Sequence, residues 1–338
     1  MIILLINKNH AKHILRILKR IITIALILIL LIFIIYNFIL TFNFEKIANA
    51  NDDDYQNPVI CDDLQVHFVD VGQGDGTIII NKDKVIVIDA GPMIHKFKMK
   101  NYLEDLGIKK INALIITHPH QDHFGGLDSI LCNFKVDKIF TTEINSKVEK
   151  GLAEKYHLLQ YNYITSKYNI LYNYEKLTVI KTNKLKQLKI GDVTLSFLGP
   201  DKVYENFNNN SIVIRLDYKN NSMLFPGDIE SEAELDLIQN HQEEIKVDVL
   251  KIAHHGSKTS STQEFLDAVN PNIAIISCGY QNSLWHPHAI VAERLEKMQV
   301  SLYRTDEQGT IILSSDGKSI TANTEEADYK SGSALSSK

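Results

Sequence analysis

The sequence predicts an α/β (α+β) chain: two successive halves stacked as an αββα sandwich of two mixed sheets, helices outside. Three observations carry this. Short apolar runs alternate with polar, Gly-rich turns, the pattern of buried strands. Within each half, strand-like runs come first and strand–helix alternation follows, which places helices on the outer faces. And one strand-like run ends abruptly in a loop crowded with His and Asp, residues 118–123, which locates a reactive sheet edge.

The elements follow in chain order. Ile21–Leu40 is apolar apart from Thr23 and Asn37, and long enough to cross a bilayer as a helix. Lys8, Lys12, Arg16, Lys19 and Arg20 precede it, and the excess of cations keeps that end cytoplasmic. Residues 1–44 therefore read as a membrane anchor or a signal peptide, with Ala48-Asn49-Ala50 fitting a cleavage site. Either reading puts the remainder outside the cytoplasm. Residues 45–60, with Asn51-Asp52-Asp53-Asp54, form a polar linker. One domain, 61–320, comes next, and residues 321–338, Ser-rich and poor in apolar residues, read as a disordered tail.

In the first half, Val66–Asp70 and Thr77–Ile80 flank Val71-Gly72-Gln73-Gly74-Asp75-Gly76, a hairpin signal. Val85–Ile88 is a third strand ending in Asp89-Ala90-Gly91; a helix around Lys100–Leu106, the strand Ile111–Thr117 and a helix near Gly126–Asn133 follow. Residues 145–190 carry no clear period. The second half starts at Gly191-Asp192, with strands Val193–Leu198, Ser211–Asp217 and Met223–Pro226 and a helix around Glu230–Gln239. Strand Val247–Ala253, helix Gln263–Val269, strand Ile273–Ser277, helix Ala289–Gln299 and strands Ser301–Arg304 and Thr310–Ser314 complete it.

Composition sets bounds. With 44% hydrophobic and 23% charged residues, the 338-residue chain can bury one large core. Net charge is −5, but residues 1–50 hold six cations and one acid, so the rest is more acidic still. A sequence-blind electrostatic grip on a polyanion is excluded, and any nucleic-acid contact must be local. Lys176, Lys181, Lys184, Lys186 and Lys189, after Tyr161, Tyr163, Tyr168, Tyr172 and Tyr174, offer one such local patch; a solvated strand edge explains them equally. Cys61, Cys132 and Cys278 are too few and too dispersed for a disulfide framework.

The chemistry concentrates in Thr117-His118-Pro119-His120-Gln121-Asp122-His123. Side chains alternate along an extended strand exit, which aims His118 and His120 the same way; Asp122 and His123, beyond the turn, face a second point. Imidazoles with a carboxylate suit zinc or a similar ion, and two ions side by side make a dinuclear centre. The HxHxDH pattern, with Leu224-Phe225-Pro226-Gly227-Asp228 and Ala253-His254-His255-Gly256-Ser257 later, resembles the metallo-β-lactamase superfamily. Within it, "HFVDVGQGDGTII", "NNNSIVIRL", "DVLKIAHHGSKTSS" and "CGYQNSLWHPH" are similar to the nuclease-like extracytoplasmic domain of ComEC-type DNA-uptake proteins and their free-standing relatives.

That resemblance implies a metal-dependent hydrolase domain over 61–320 with two divalent ions, zinc or manganese. His118 and His120 hold one ion, Asp122, His123 and a later His the other, and Asp228 lies between. Asn208-Asn209-Asn210-Ser211 stands in the region where the superfamily has a further His ligand, with Asn210 and Ser211 expected to support the ligands or meet substrate. The implied activity is phosphodiester hydrolysis, with DNA as substrate and a partner channel in the membrane. The alternatives are a surface phosphodiesterase on choline-phosphate or other envelope esters, and a non-catalytic accessory module of DNA uptake.

For the later His, the reading selects His254 as ligand and sends His255 toward substrate, since neighbours on an extended segment face opposite ways. Asp122, His286 and His255 are expected to act on the reacting groups, His286 as a proton donor titrating near neutrality. Asp89 either orients a liganding His or caps a turn. Asp75 reads as a turn residue. Asn282 and Trp285 line the cleft, His288 borders it or starts the following helix, and Gly125-Gly126 permit close approach of the ligand loop.

Overall fold

A computed structural model describes residues 8–48, 56–58, 61–141, 178–181 and 186–332. The Tyr-rich stretch from Tyr161 to Lys176, Lys184, the Asp52–Asp54 linker acids and the cleavage point at Ala50 lie outside the described residues, as do residues 333–338. The chain divides into two units, Met1–Asn49 and Ala50–Lys338.

The first unit is the helix α1 (Lys8–Ala48). Its stretch Leu15–Tyr36 has mean hydropathy 2.8 and is long and apolar enough to cross a membrane, a property shared by anchors and signal sequences. The helix continues through Glu45–Ala48, so the polar linker begins later than the sequence predicts.

The second unit has two large sheets. The first runs β17-β16-β1-β2-β3-β5-β7-β8 and the second β15-β14-β13-β12-β11-β10-β9. The first sheet uses β1 (Cys61–Phe68), β2 (Thr77–Lys82), β3 (Lys84–Ile88), β5 (Ala113–Ile116), β7 (Lys138–Thr141), β8 (Thr178–Lys181), β16 (Ile311–Ser315) and β17 (Ile320–Ala322). The second uses β9 (Gln187–Ile190), β10 (Val193–Gly199), β11 (Val213–Tyr218), β12 (Asn221–Phe225), β13 (Val249–Lys251), β14 (Ile273–Ile276) and β15 (Ser301–Arg304). Short strands β4 (Lys110–Ile111) and β6 (Lys135–Val136) pair separately.

Both sheets are mixed for the same reason. Adjacent hairpin strands pair antiparallel, as in β1–β2–β3 and β9–β10–β11–β12. Strands joined through helices must return parallel, as in β3–β5–β7 and β12–β13–β14–β15. The helices are α2 (Phe97–Asp105), α3 (Gln121–Phe124), α4 (Leu127–Leu131), α5 (Ser231–Asn240), α6 (Gln263–Val269), α7 (Ala289–Met298) and α8 (Thr305–Gln308).

Alternation along the strands makes two cores. Val66, Phe68, Ile86, Ile88, Leu195, Ile214, Leu216, Phe225 and Val249 meet between the sheets. The opposite faces of the second sheet, through Leu224, Leu250, Ala274, Ile276 and Leu302, bury against Leu237, Phe265, Leu266, Val291 and Leu295 of the helices. Strands covered on both faces are apolar throughout, which explains why β3, β5 and β14 read as unbroken runs. The parallel arrangement also directs the ends of β3, β5, β12, β13 and β14 toward one edge, where ligand-binding loops of such sheets gather.

The tail departs from expectation. Ala322–Gly332 is ordered by pairing and packing: β17 adds to β16, Ala327 N donates to Leu302 O (2.7 Å), Tyr329 Oη to Val300 O (2.5 Å) and Gly332 N to Pro287 O (2.7 Å). Ala327 and Tyr329 supply the apolar contacts that the charged residues around them lack.

Candidate metal centre

The loop after β5 delivers the first group. His118 and His123 are fully buried, and His118 Nε2 lies 3.1 Å from His120 Nδ1. Gly125 and Gly126 make this loop fit: a Cβ on Gly125 would stand 2.0 Å from Met93 N, and one on Gly126 2.2 Å from Ala90 O. The close approach expected of the two glycines is therefore to the turn after β3.

Asp89, at the end of β3, holds the loop from behind. Its Oδ1 accepts from Thr117 N (2.8 Å) and its Oδ2 from Thr117 Oγ1 (2.8 Å). His123 Nδ1 also lies 2.8 Å from Oδ2. With Nδ1–H committed to Asp89, His123 turns an Nε2 lone pair inward. Of the two readings of Asp89, the orienting one describes its contacts.

Asp228 follows β12. Its N–H donates to Ser211 Oγ (3.0 Å), so Ser211 seats the Asp228 backbone. Gly227 between them has φ 62°, and a Cβ there would meet Ser211 Cβ at 2.7 Å. Asp228 Oδ2 lies 3.1 Å from His123 Nε2, 3.4 Å from His255 Nε2 and 3.8 Å from His118 Nε2.

Of the two histidines after β13, His255 faces the cluster and His254 does not, the reverse of the expectation. Both adopt left-handed backbone (φ 52° and 56°) instead of an extended one, so alternation does not govern them. His255 is 1% exposed, with Nε2 3.3 Å from His123 Nε2 and 3.2 Å from Asp122 Oδ2. Its Nδ1 donates to Ser277 O (3.0 Å). His254 stands at the rim, its Nε2 3.9 Å from Asp228 Oδ2 and its Nδ1 3.2 Å from Thr259 Oγ1 and 3.6 Å from Glu230 Oε1.

Four ligand-type atoms thus gather: His123 Nε2, His255 Nε2 and Asp228 Oδ2 about one point, with Asp122 Oδ2 beside His255 Nε2. The separations among His123, His255 and Asp228, 3.1–3.4 Å, and that of Asp122 from His255, 3.2 Å, lie close to the roughly 3.3–3.5 Å between neighbouring ligands of a tetrahedral ion held at about 2.0–2.2 Å. Asp228 Oδ1, buried without a hydrogen-bond partner, leaves spare coordinating capacity. His118, His120 and Asp228 form a second group whose ligand atoms lie within 4.8 Å of one another. The residues fit two cations sharing one carboxylate.

The electrostatics agree. Burial pushes His118 and His120 below the usual imidazole range, leaving neutral ligands. Burial opposes charge on His123 and His255 as well, but Asp228 with Asp89 or Asp75 more than reverses it and holds both well above that range. Burial would raise Asp122 and Asp228 too, yet the neighbouring histidines hold both carboxyls below their ordinary values. The pocket demands positive charge, from protons or from metal ions.

Asp75 and Lys251 were not read as site residues. Asp75 is buried and forms an ion pair with Lys251 Nζ (2.5 Å), itself 3% exposed. Its Oδ1 lies 3.3 Å from His255 Nδ1, outside hydrogen-bond geometry. Asp75 clusters with His123, Asp228 and His255 by distance alone. It faces the Nδ1 edges of both rings, away from the converging Nε2 atoms, and so supports the ligands from behind. The sequence signal was a Lys inside the apolar run Val249-Leu250-Lys251-Ile252: a buried ammonium requires a buried carboxylate.

The remaining candidates divide. His286 is buried beside the centre, its ring 6.0 Å from that of His255, and Gln73 Nε2 lies 3.2 Å from its Nδ1. Burial, then the neighbouring histidines, press its pKa down to about 3, so it is a neutral donor and not an acid titrating near pH 7. Asn282 ties its own loop, donating to Gly279 O (2.9 Å) and His286 O (2.7 Å) and accepting from His286 N (2.9 Å). His288 is the residue preceding α7, and its Nδ1 accepts from Lys258 N (3.1 Å), the helix-start alternative. Asn210 is not at the centre: its amide exchanges hydrogen bonds with the backbone of Tyr204 and Asn206, bracing that turn.

A two-sheet sandwich with paired His/Asp seats at one edge defines a class, and residues 69–280 match the metallo-beta-lactamase superfamily; the chain belongs to it. It is 30% identical over 278 residues to ComE operon protein 3 of Bacillus subtilis (strain 168), covering 75% of this chain and 33% of that one. It is 30% identical over 253 residues to Recombination protein 2 of Haemophilus influenzae, covering 73% and 28%. The chain thus spans about a third of the length of these curated relatives. Among solved structures, the metallo-beta-lactamase fold protein YhfI from Bacillus subtilis aligns with TM-score 0.48 at 11% identity, over 75% of this chain and 100% of that one.

Proposed function

We propose that this chain is an extracytoplasmic, metal-dependent phosphodiesterase that cleaves single-stranded DNA, held at the membrane by α1 or secreted after its removal. The observation that carries the reading is the buried convergence of His123, His255 and Asp228, with Asp122 beside His255, next to His118 and His120, with Asp228 common to both groups. His255 replaces His254 in the proposed ligand set. Divalent ions bound there, zinc or manganese, supply Lewis acidity toward phosphoryl oxygens and lower the pKa of water. The DNA substrate is supported by similarity to competence and recombination proteins. The five cations ahead of the apolar stretch of α1 support the location.

The chain's own residues act around the ions. Asp89 and Ser277 O fix the tautomers of His123 and His255, and Ser211 fixes Asp228. Neutral His286, its Nδ1 facing Gln73, keeps Nε2–H free to donate to a phosphoryl or leaving oxygen without giving up its proton. His254, at the rim, meets substrate as it enters.

The test uses the full chain in detergent, stripped of metal and reloaded with zinc or manganese. Single-stranded DNA, a generic phosphodiester and a choline-phosphate ester are offered, with His123→Ala as control. Metal-dependent DNA cleavage that the control loses supports the proposal. Ester turnover without DNA cleavage replaces it with a surface phosphodiesterase, and no metal-dependent turnover at all replaces it with an accessory module.

A further inference from the structure

We propose that Tyr280, Leu284 and Trp285 form a stacking surface for an unpaired nucleobase beside the metal centre. This inference rests on the phosphodiesterase reading and names how the polynucleotide is gripped. These side chains are 73%, 51% and 56% exposed on the loop between β14 and α7, the loop that carries His286. Large apolar groups left in water on a stiff loop mark a binding surface.

Stiffness is built in from both ends. Asn282 ties Gly279 to His286 across the loop's base, and Trp285 N donates to Asn282 O (3.2 Å). Gln73, from the Gly-rich hairpin, accepts from Gly279 N (3.1 Å) through Oε1 and approaches His286 Nδ1 (3.2 Å) with Nε2. A Cβ on Gly279 would lie 2.6 Å from Gln73 N, so hairpin and loop touch at their backbones. Trp285 itself is held at φ 63°, a conformation unusual for a bulky residue.

The occupant follows from charge. With a net charge of −5, the chain has no general attraction for a polyanion. Ions held in the centre would engage one phosphate, and the remaining affinity must come from contacts that do not depend on charge. Base-on-ring stacking supplies about 1–3 kcal/mol per base and tolerates any sequence. The same loop carries His286, whose ring lies 6.0 Å from that of His255, so the aromatic residues adjoin the proposed phosphate site in the chain.

Trp285 is the single tryptophan of the chain, so its fluorescence reports on this loop alone. The full chain in phospholipid nanodiscs, freed of metal, is titrated with oligothymidylate and with an abasic oligomer of equal length. Quenching by oligothymidylate and weak response to the abasic oligomer are expected. Tyr280→Ala and Trp285→Ala, both read by anisotropy of a labelled oligomer, should each weaken oligothymidylate binding about 5- to 150-fold. Trp285→Phe should retain most of it. With zinc or manganese restored, KM should be higher for the abasic than for the base-bearing oligomer, and that ratio should collapse in the alanine variants. Equal binding of both oligomers overturns the inference, as does tryptophan emission already shifted by lipid and indifferent to DNA. Cleavage of both oligomers with no base preference sinks the stacking surface while leaving the phosphodiesterase reading intact; base-dependent binding without any cleavage does the reverse.

Discussion

Lys251→Met should be among the most destabilising conservative-volume substitutions in the molecule. Lys251 Nζ and Asp75 Oδ2 are 2.5 Å apart, with side chains 3% and 4% exposed. Removing the ammonium strands a buried carboxylate that has only ring nitrogens for company, at 3.3 Å (His255) and 3.7 Å (His123). Breaking such a pair from one side costs about 3–5 kcal/mol, against a typical total of about 5–15. Taking m near 3 kcal/mol per molar urea, the midpoint falls by about 1 M or more. The double variant Asp75→Leu/Lys251→Met removes both charges and should recover part of the loss. There is also a pH signature. In the native pair burial would raise the Asp75 carboxyl, but Lys251 and His255 hold it below its ordinary value. Without Lys251 the largest charge holding the carboxyl down is gone, and the folded pKa rises relative to the native pair. The deficit should therefore shrink as pH falls through the variant's folded carboxyl pKa. The assay is urea unfolding of the metal-free chain in micelles, followed by circular dichroism. A single-variant cost below about 1 kcal/mol, or a double variant equal to the sum of its singles, would refute the account.

The other predictions concern the ligands and acid stability. Atomic absorption on purified variants should find one ion lost per chain in His255→Ala and both kept in His254→Ala; the opposite result restores the sequence-based choice. Asp89→Asn should weaken metal binding about 10- to 100-fold by releasing the tautomer of His123, read by competition with a chelating dye. His67, buried and neutral, has its pKa lowered by burial to about 4 from 6.5. The unfolded chain thus binds the extra proton first, and stability present above pH 6.5 is lost as pH falls to about 4, by at most about 3 kcal/mol. His67→Gln, which can still reach Tyr102 Oη, should flatten that limb of the stability curve; an unchanged slope would show that His67 does not carry it.

Much of the centre was legible because its first residues are neighbours in sequence. His118 to His123 sit in one turn after an unbroken apolar strand, and Asp228 sits after another, so strand period and loop chemistry suffice. What failed was any inference needing backbone geometry that period does not encode. His254 and His255 were separated by a rule for extended chains, but both lie in the left-handed region. Asn210 looked like a ligand substitute because of its place in the chain, while its amide is consumed by the turn at 204–206. The pair Asp75–Lys251 joins a hairpin to a strand of the other sheet, a contact visible only after the sheets stack. The strap at 322–332 was obscured by composition: two residues, Ala327 and Tyr329, anchor a segment otherwise polar.

The shared centre also imposes an order of events on the newly made chain. His123 and His255 stand 132 residues apart in sequence and belong to loops of different sheets. No short fragment holds a complete seat, and contacts of such long range form slowly, after much of the chain has already condensed. A complete seat therefore exists only once the two sheets have docked, so tight capture of an ion would act as a seal on that docking.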